Sequence, residues 1–167
     1  MMSSSEQGAD LSRYTIVPRV LIFLRRGDEV LLLKGAPDKK IWANKYNGVG
    51  GHVDPREDLL TAAQRELVEE TGLDAQLSLC GTILVDTGSN PGVGIFVFAG
   101  EYSGGHLQSS GEGELEWVRM DKVDDLPVVD DLPLLLQQLR VHIPSNPPFS
   151  GRSFYSDGRL RIEFYGQ

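Results

Sequence analysis

From Leu59 to Leu73 the chain is patterned as a helix, and as an acidic one. Leu60, Ala63 and Leu67 recur at spacings of three and four, Asp58 can cap the start, and Gly72 can end it. Asp54-Pro55-Arg56-Glu57 has capping-box spacing and offers a competing start, but Asp58 is the preferred cap. On such a helix Glu66, Glu69 and Glu70 fall within one side, and Glu57 lies just before the first turn. Like charges at these spacings destabilise an isolated helix by roughly 0.2 to 0.5 kcal/mol per pair. The face is therefore either an ordinary solvated acidic surface or a surface built around a cation.

The flanking segments read mostly as strands. Thr15 to Leu24 and Glu29 to Leu33 are rich in Val, Ile and Leu and are joined by the turn sequence Arg25-Arg26-Gly27-Asp28. Gly35 to Gly51 is a long polar connection ending in the glycine-rich Asn47-Gly48-Val49-Gly50-Gly51. Ala75 to Val85, Val93 to Tyr102 and Leu115 to Val118 are further strands, and Pro133 to Val141 is a second helix with Pro at its start. Near the end, Asp157-Gly158 marks a hairpin between Ser153-Phe154-Tyr155 and Leu160 to Tyr165. Strands interleaved with two helices, with hairpins at both ends, predict an α+β domain: a mixed central sheet with helices on its faces.

A length of 167 residues and 40% hydrophobic content suit one such domain, taken as residues 13–167, behind a disordered tail at residues 1–12. The net charge of -8 argues against a nucleic acid polymer as partner, because backbone binding rests on Lys and Arg neutralising phosphates. If the ligand is a phosphate anion, a cation must help. Cys80 is alone, which excludes a disulfide framework and a Cys/His zinc cluster and reads as a buried structural thiol. His52, His106 and His142 show no ligand spacing. With no basic leader and no run of transmembrane length, the expectation is a cytoplasmic protein without membrane contact.

Gly51, five residues, Glu57, seven residues, then Arg65-Glu66-Leu67-Val68-Glu69-Glu70-Thr71-Gly72-Leu73 resembles the complete signature of the Nudix hydrolases, every fixed position filled. The resemblance implies the Nudix fold, an α/β/α sandwich, and hydrolysis of a diphosphate linkage in a nucleotide with Mg²⁺, Mn²⁺ being a possible substitute. It also implies roles. Glu69 and Glu70 bind metal, Glu66 is general base, metal ligand or both, and Arg65 orients the Glu66 carboxylate. Glu57 completes or supports the metal shell, and the Gly50 carbonyl is another ligand. Magnesium prefers hard oxygen ligands, so carboxylates on one rigid helix suit it. In Ser110-Gly111-Glu112-Gly113-Glu114-Leu115-Glu116-Trp117, which looks like the acidic segment where many family members place a distant metal ligand, Glu112 is the first choice and Glu114 the second, with a charged loop before a strand as the alternative.

The substrate side carries a narrower likeness. Tyr46-Asn47-Gly48-Val49-Gly50-Gly51 resembles the Trp-Asn-Gly-Phe-Gly-Gly stretch of the MutT-type branch acting on oxidised purine nucleoside triphosphates such as 8-oxo-dGTP, with Tyr46 in place of Trp. Asp130-Asp131 ahead of Pro133-Leu134-Leu135-Leu136-Gln137 resembles that branch's acidic pair, though it stands nearer the Pro-Leu run here. Asn47, Asp130 and Asp131 are thereby the candidate purine contacts, with a turn or helix-cap role as the alternative for each. Trp42, Phe23 and Phe96 could stack on a base, but aromatic residues in strands and loops are usually core. The leading expectation is hydrolysis of a nucleoside triphosphate to monophosphate and pyrophosphate. ADP-ribose or dinucleoside polyphosphate cleavage would use the same helix, and a non-catalytic nucleotide-binding module is the third reading. Monomer and homodimer both remain open.

Overall fold

The computed structural model describes residues 6–142 and 144–165, so the first five residues of the expected tail lie outside the described part. Nine strands and two α-helices follow in the described residues: β1 (Ile16–Arg26), β2 (Glu29–Gly35), β3 (Tyr46–Asn47), β4 (Val49–His52), α1 (Leu59–Thr71), β5 (Ser78–Asp86), β6 (Gly92–Glu101), β7 (Gly113–Arg119), α2 (Leu132–Val141), β8 (Phe149–Ser156) and β9 (Arg159–Tyr165). A short 3₁₀ turn, Met120–Asp125, connects β7 towards α2.

β1 and β2 form the expected hairpin, with Gly27 at φ +59° in its turn. They pair only next to that turn, at Arg25 with Val30 and Arg26 with Glu29. Beyond it the two strands part. β1 takes β4 as antiparallel partner from Arg19 opposite His52 to Ile22 opposite Val49, and lies parallel to β6 on its other side. β2 instead pairs with β7 and β3. The sheet continues from β6 through β5 and β8 to β9, and the β8–β9 turn is the Asp157-Gly158 pair, both residues at positive φ.

Strand alternation sends successive side chains to opposite faces and so divides the core in two. Val20, Ile22, Leu24, Leu31 and Leu33 pack with Ala62, Ala63 and Leu67 of α1. Phe23, Val30 and Leu32 pack with Leu132, Leu135, Leu136 and Leu139 of α2. The mixed sheet with a helix on each face is therefore present as expected. Cys80 is buried in the α2 layer.

The long connection from Gly35 to Gly51 is more ordered than its composition suggests, since its glycine-rich end forms β3 and β4. Glycine masks the strand because the residues are chosen for close approach. A Cβ on Gly50 would stand 2.1 Å from the Val20 carbonyl oxygen, and one on Gly48 would stand 2.8 Å from the Phe23 ring. The apolar stripe of α1 also differs in detail. Leu60 is exposed, and the buried line runs through Ala62, Ala63 and Leu67 to Glu70. Asp58 is the cap, accepting from the Thr61 N–H at 2.9 Å, and Gly72 closes the helix at φ +70°. The competing Asp54 segment is a turn in which the Glu57 carboxylate accepts the Asp54 N–H at 2.9 Å.

Leu67 is the largest fully buried side chain by which α1 grips the sheet. Leu67→Ala should lower stability by about 2–5 kcal/mol, read as a lower urea midpoint with an unchanged denaturant slope.

Candidate active site

Capped at one end by Asp58 and at the other by Gly72, α1 rests on β1 and β4, which aligns its acidic side with the glycine strand. Arg65 is the hub. Its Nε and Nη2 donate to the two oxygens of Glu57 at 2.7 and 2.9 Å, a two-point grip that a lysine could not reproduce. Its Nη1 donates to Glu66 at 2.8 Å and to Glu69 at 3.3 Å, and Nη2 also donates to the His52 carbonyl at 3.0 Å. The guanidinium holds the Glu57 carboxyl down to about 2, well below the usual range, and the carboxylates in turn hold Arg65 firmly charged.

Glu66 lies against the glycine strand. A Cβ on Gly51 would come within 2.3 Å of its carboxylate, so glycine there clears its seat. Glu70 sits deeper, only 7% exposed, and the Gly50 N–H at 3.4 Å is a weak partner for a buried carboxylate. Burial first, and then the charge of Glu66, push its pKa up to about 7, with Glu112 adding to the rise and the Gly50 N–H and Lys39 opposing it. Glu69, by contrast, is largely exposed. The three helix carboxylates thus occupy three environments.

Among the described residues, no three His, Cys, Asp or Glu side chains already converge as a metal cage, since Arg65 gathers Glu57, Glu66 and Glu69 around itself. The donor set nonetheless fits a hard divalent cation. Every nearby donor is an oxygen, and Glu70 is a buried carboxylate whose charge is poorly compensated. Glu112 is ion-paired with Lys39, while Glu114 lies on β7 opposite Lys34.

A cavity of about 280 Å³ joins the two halves of the sequence signal, being lined by Gly50 and Glu70 together with Asn47 and Asp131. Burial and the neighbouring Asp130 raise the Asp131 pKa. Asp130 turns instead to Lys45, at 3.8 Å, and to the Leu160 N–H, at 3.4 Å. Phe23 is core as expected, but Trp42 is not: it is half-exposed and lines this cavity. A larger cavity of about 460 Å³, lined by Arg25, Cys80 and His142, opens on the α2 face and contains none of the signature carboxylates. Tyr46, which stands where the MutT-type stretch has Trp, is buried and donates to Glu116 at 2.6 Å, a tie the sequence did not reveal.

Residues 15–139 match the family model of the NUDIX domain. The chain belongs to the Nudix family. This Nudix hydrolase is 32% identical over 115 residues to the oxidized purine nucleoside triphosphate hydrolase of Danio rerio, a match covering 65% of this chain and 74% of that protein. The mouse protein of the same name, from Mus musculus, is 30% identical over 124 residues, 71% of this chain and 78% of its own. Among solved structures, the MutT protein of Bacillus halodurans superimposes with a TM-score of 0.72 at 23% identity, covering 89% of this chain and 97% of that one. The NUDIX domain of Shewanella oneidensis NrtR, solved with ADP ribose, superimposes with a TM-score of 0.65 at 18% identity, covering 83% and 97%. At these identities the structural likeness is one of fold.

A carboxyl whose pKa rises from 4.5 to about 7 on folding binds more protons in the folded chain than in the unfolded one between those values, so raising the pH favours unfolding. In chelator, the stability of the parent relative to Glu70→Gln should therefore fall as the pH climbs from 4.5 to about 7. Parallel melting-temperature profiles for the two proteins would contradict this environment for Glu70.

Proposed function

We propose that this Nudix hydrolase is a Mg²⁺-dependent pyrophosphohydrolase that cleaves a nucleoside triphosphate to monophosphate and pyrophosphate, with an oxidised purine such as 8-oxo-dGTP as the base. The observation that carries this reading is the shared cavity: Glu70 and Gly50 of the acidic helix site line the same space as Asn47 and Asp131. A phosphate chain placed beside α1 thus has its base within reach of an amide and a carboxyl, groups that can pair with purine donors and acceptors. Two relatives at 30–32% identity carry that substrate class in their names.

Glu66, Glu69, Glu70 and the Gly50 carbonyl would hold the cation, with Glu57 supporting the shell and Glu112 approaching from the β7 side. When bound, Mg²⁺ or Mn²⁺ neutralises the diphosphate and acidifies a water. Arg65 keeps the Glu66 carboxylate aimed at the site while restraining Glu57 and Glu69. Glu66 is the base that takes the proton from the attacking water, whose oxygen bonds to phosphorus as the anhydride P–O bond breaks. Asn47 and Asp131 read the purine edge. Asp130, held by Lys45 and the Leu160 N–H, is left out of the purine contacts.

Incubation with Mg²⁺ and a panel of ordinary and oxidised purine triphosphates, ADP-ribose and dinucleoside polyphosphates, with product identification, should show preferred turnover of an oxidised purine triphosphate to its monophosphate. Comparable slow turnover of every compound would defeat the substrate, and exclusive cleavage of ADP-ribose or a dinucleoside polyphosphate would replace it. Glu66→Gln and Glu69→Gln should each lower kcat by roughly 10²- to 10⁴-fold with an unchanged fold by circular dichroism. Near-parent activity in both variants would sink the acidic-helix mechanism.

A further inference from the structure

The loop from Ala36 to Lys45 directs Ile41 and Trp42 away from both core layers, at 64% and 37% exposure, and both line the cavity that holds Asn47 and Asp131. Isolated exposed apolar residues are ordinary, but this tryptophan is held in a costly backbone conformation. Trp42 has φ +60°, as does Asn44 two residues on, and the left-handed region is unfavourable for a bulky side chain. The surrounding hydrogen bonds impose it. The Lys45 N–H donates to the Trp42 carbonyl at 3.1 Å, the Asn44 N–H to the Gly35 carbonyl at 2.9 Å, and the Gly35 N–H to the Lys45 carbonyl at 3.0 Å. Gly35 is required for this closure, because a Cβ there would stand 2.7 Å from the Trp42 carbonyl oxygen. The loop thus places a large planar ring at the cavity that has the polar groups for a purine edge.

We propose that Trp42 is the platform on which the base of the nucleotide stacks, with Asn47 and Asp131 meeting its edge. This rests on the nucleotide reading above and adds a division of labour to it. Stacking engages the face that every purine shares, so Trp42 supplies affinity without distinguishing one purine from another. Discrimination between an oxidised and an ordinary purine stays with the edge contacts.

The chain has two tryptophans, and the second, Trp117, packs between Tyr102 and Arg26 away from this cavity. In a Trp117→Phe background Trp42 is the sole tryptophan, so under tryptophan-selective excitation titration with dGMP and 8-oxo-dGMP in chelator should quench its fluorescence, while pyrophosphate should not. In steady-state assays Trp42→Ala should raise KM for ordinary and oxidised purine triphosphates alike, by roughly 10- to 100-fold, with a much smaller effect on kcat, and Trp42→Phe should recover most of the loss. Calorimetric binding of the nucleotides without any change in Trp42 emission, or an unchanged KM in Trp42→Ala, would overturn the assignment. Absence of binding heat and of turnover with every nucleotide would overturn the nucleotide reading and the stacking role with it.

Discussion

A single guanidinium, that of Arg65, sets the geometry on which the acidic face of α1 depends. Glu57, Glu66 and Glu69 would repel one another on an uncompensated surface, and Arg65 bonds to all three while fastening the helix to the His52 carbonyl at the end of β4. Because its fork is planar and always charged, each carboxylate is held in direction as well as in place. The glycine strand completes the arrangement from the other side, with Gly51 leaving space for Glu66 and Gly50 allowing β4 to lie close against β1. Helix and strand are therefore two halves of one fitting.

Glu70 shows the opposite use of burial. It lies at the end of the same line of side chains as Ala63 and Leu67, which belong to the core, and it receives one long hydrogen bond in exchange for its lost hydration. A carboxylate in such a place costs folding free energy unless its charge is met. On the proposed reading, stability is given up at the point where a cation would meet that charge.

Much of this was legible in the sequence, and the misses have physical causes. Asp58, Gly72 and the two terminal hairpins announced themselves because caps and turns act through one or two residues with a specific backbone requirement. The signature named the carboxylates but not their environments. Glu69 and Glu70 are adjacent and chemically alike, yet one is exposed and the other buried, since a step of one residue turns the side chain about a quarter of the way round the helix. The spacing of Ala63, Leu67 and Glu70 carried that information. β4 was hidden because glycine has no strand preference to read, and its reason for being there lies on β1. Asp130 and Asp131 were also inseparable in sequence, whereas the start of α2 sends Asp131 to the cavity and leaves Asp130 with Lys45. Trp42 defeated a sound generalisation about aromatic residues because the loop backbone closes tightly on Gly35 and holds Trp42 at positive φ, outside both core layers.

The hairpin of β1 and β2 is zipped only at its tip, and its two legs then serve different neighbours. One leg, with β4, carries the acidic helix, and the other leads into the loop bearing Ile41 and Trp42. Insertions or exchanges between Ala36 and Lys45 consequently reshape the mouth of the cavity while the register between β1 and β4, and with it the seat of α1, is left alone. In such a scaffold one wall of the cavity and the seat of the acidic helix hang from separate arms of a fork, and Lys39, paired with Glu112 and felt by Glu70, is the point at which the loop arm still touches the acidic side.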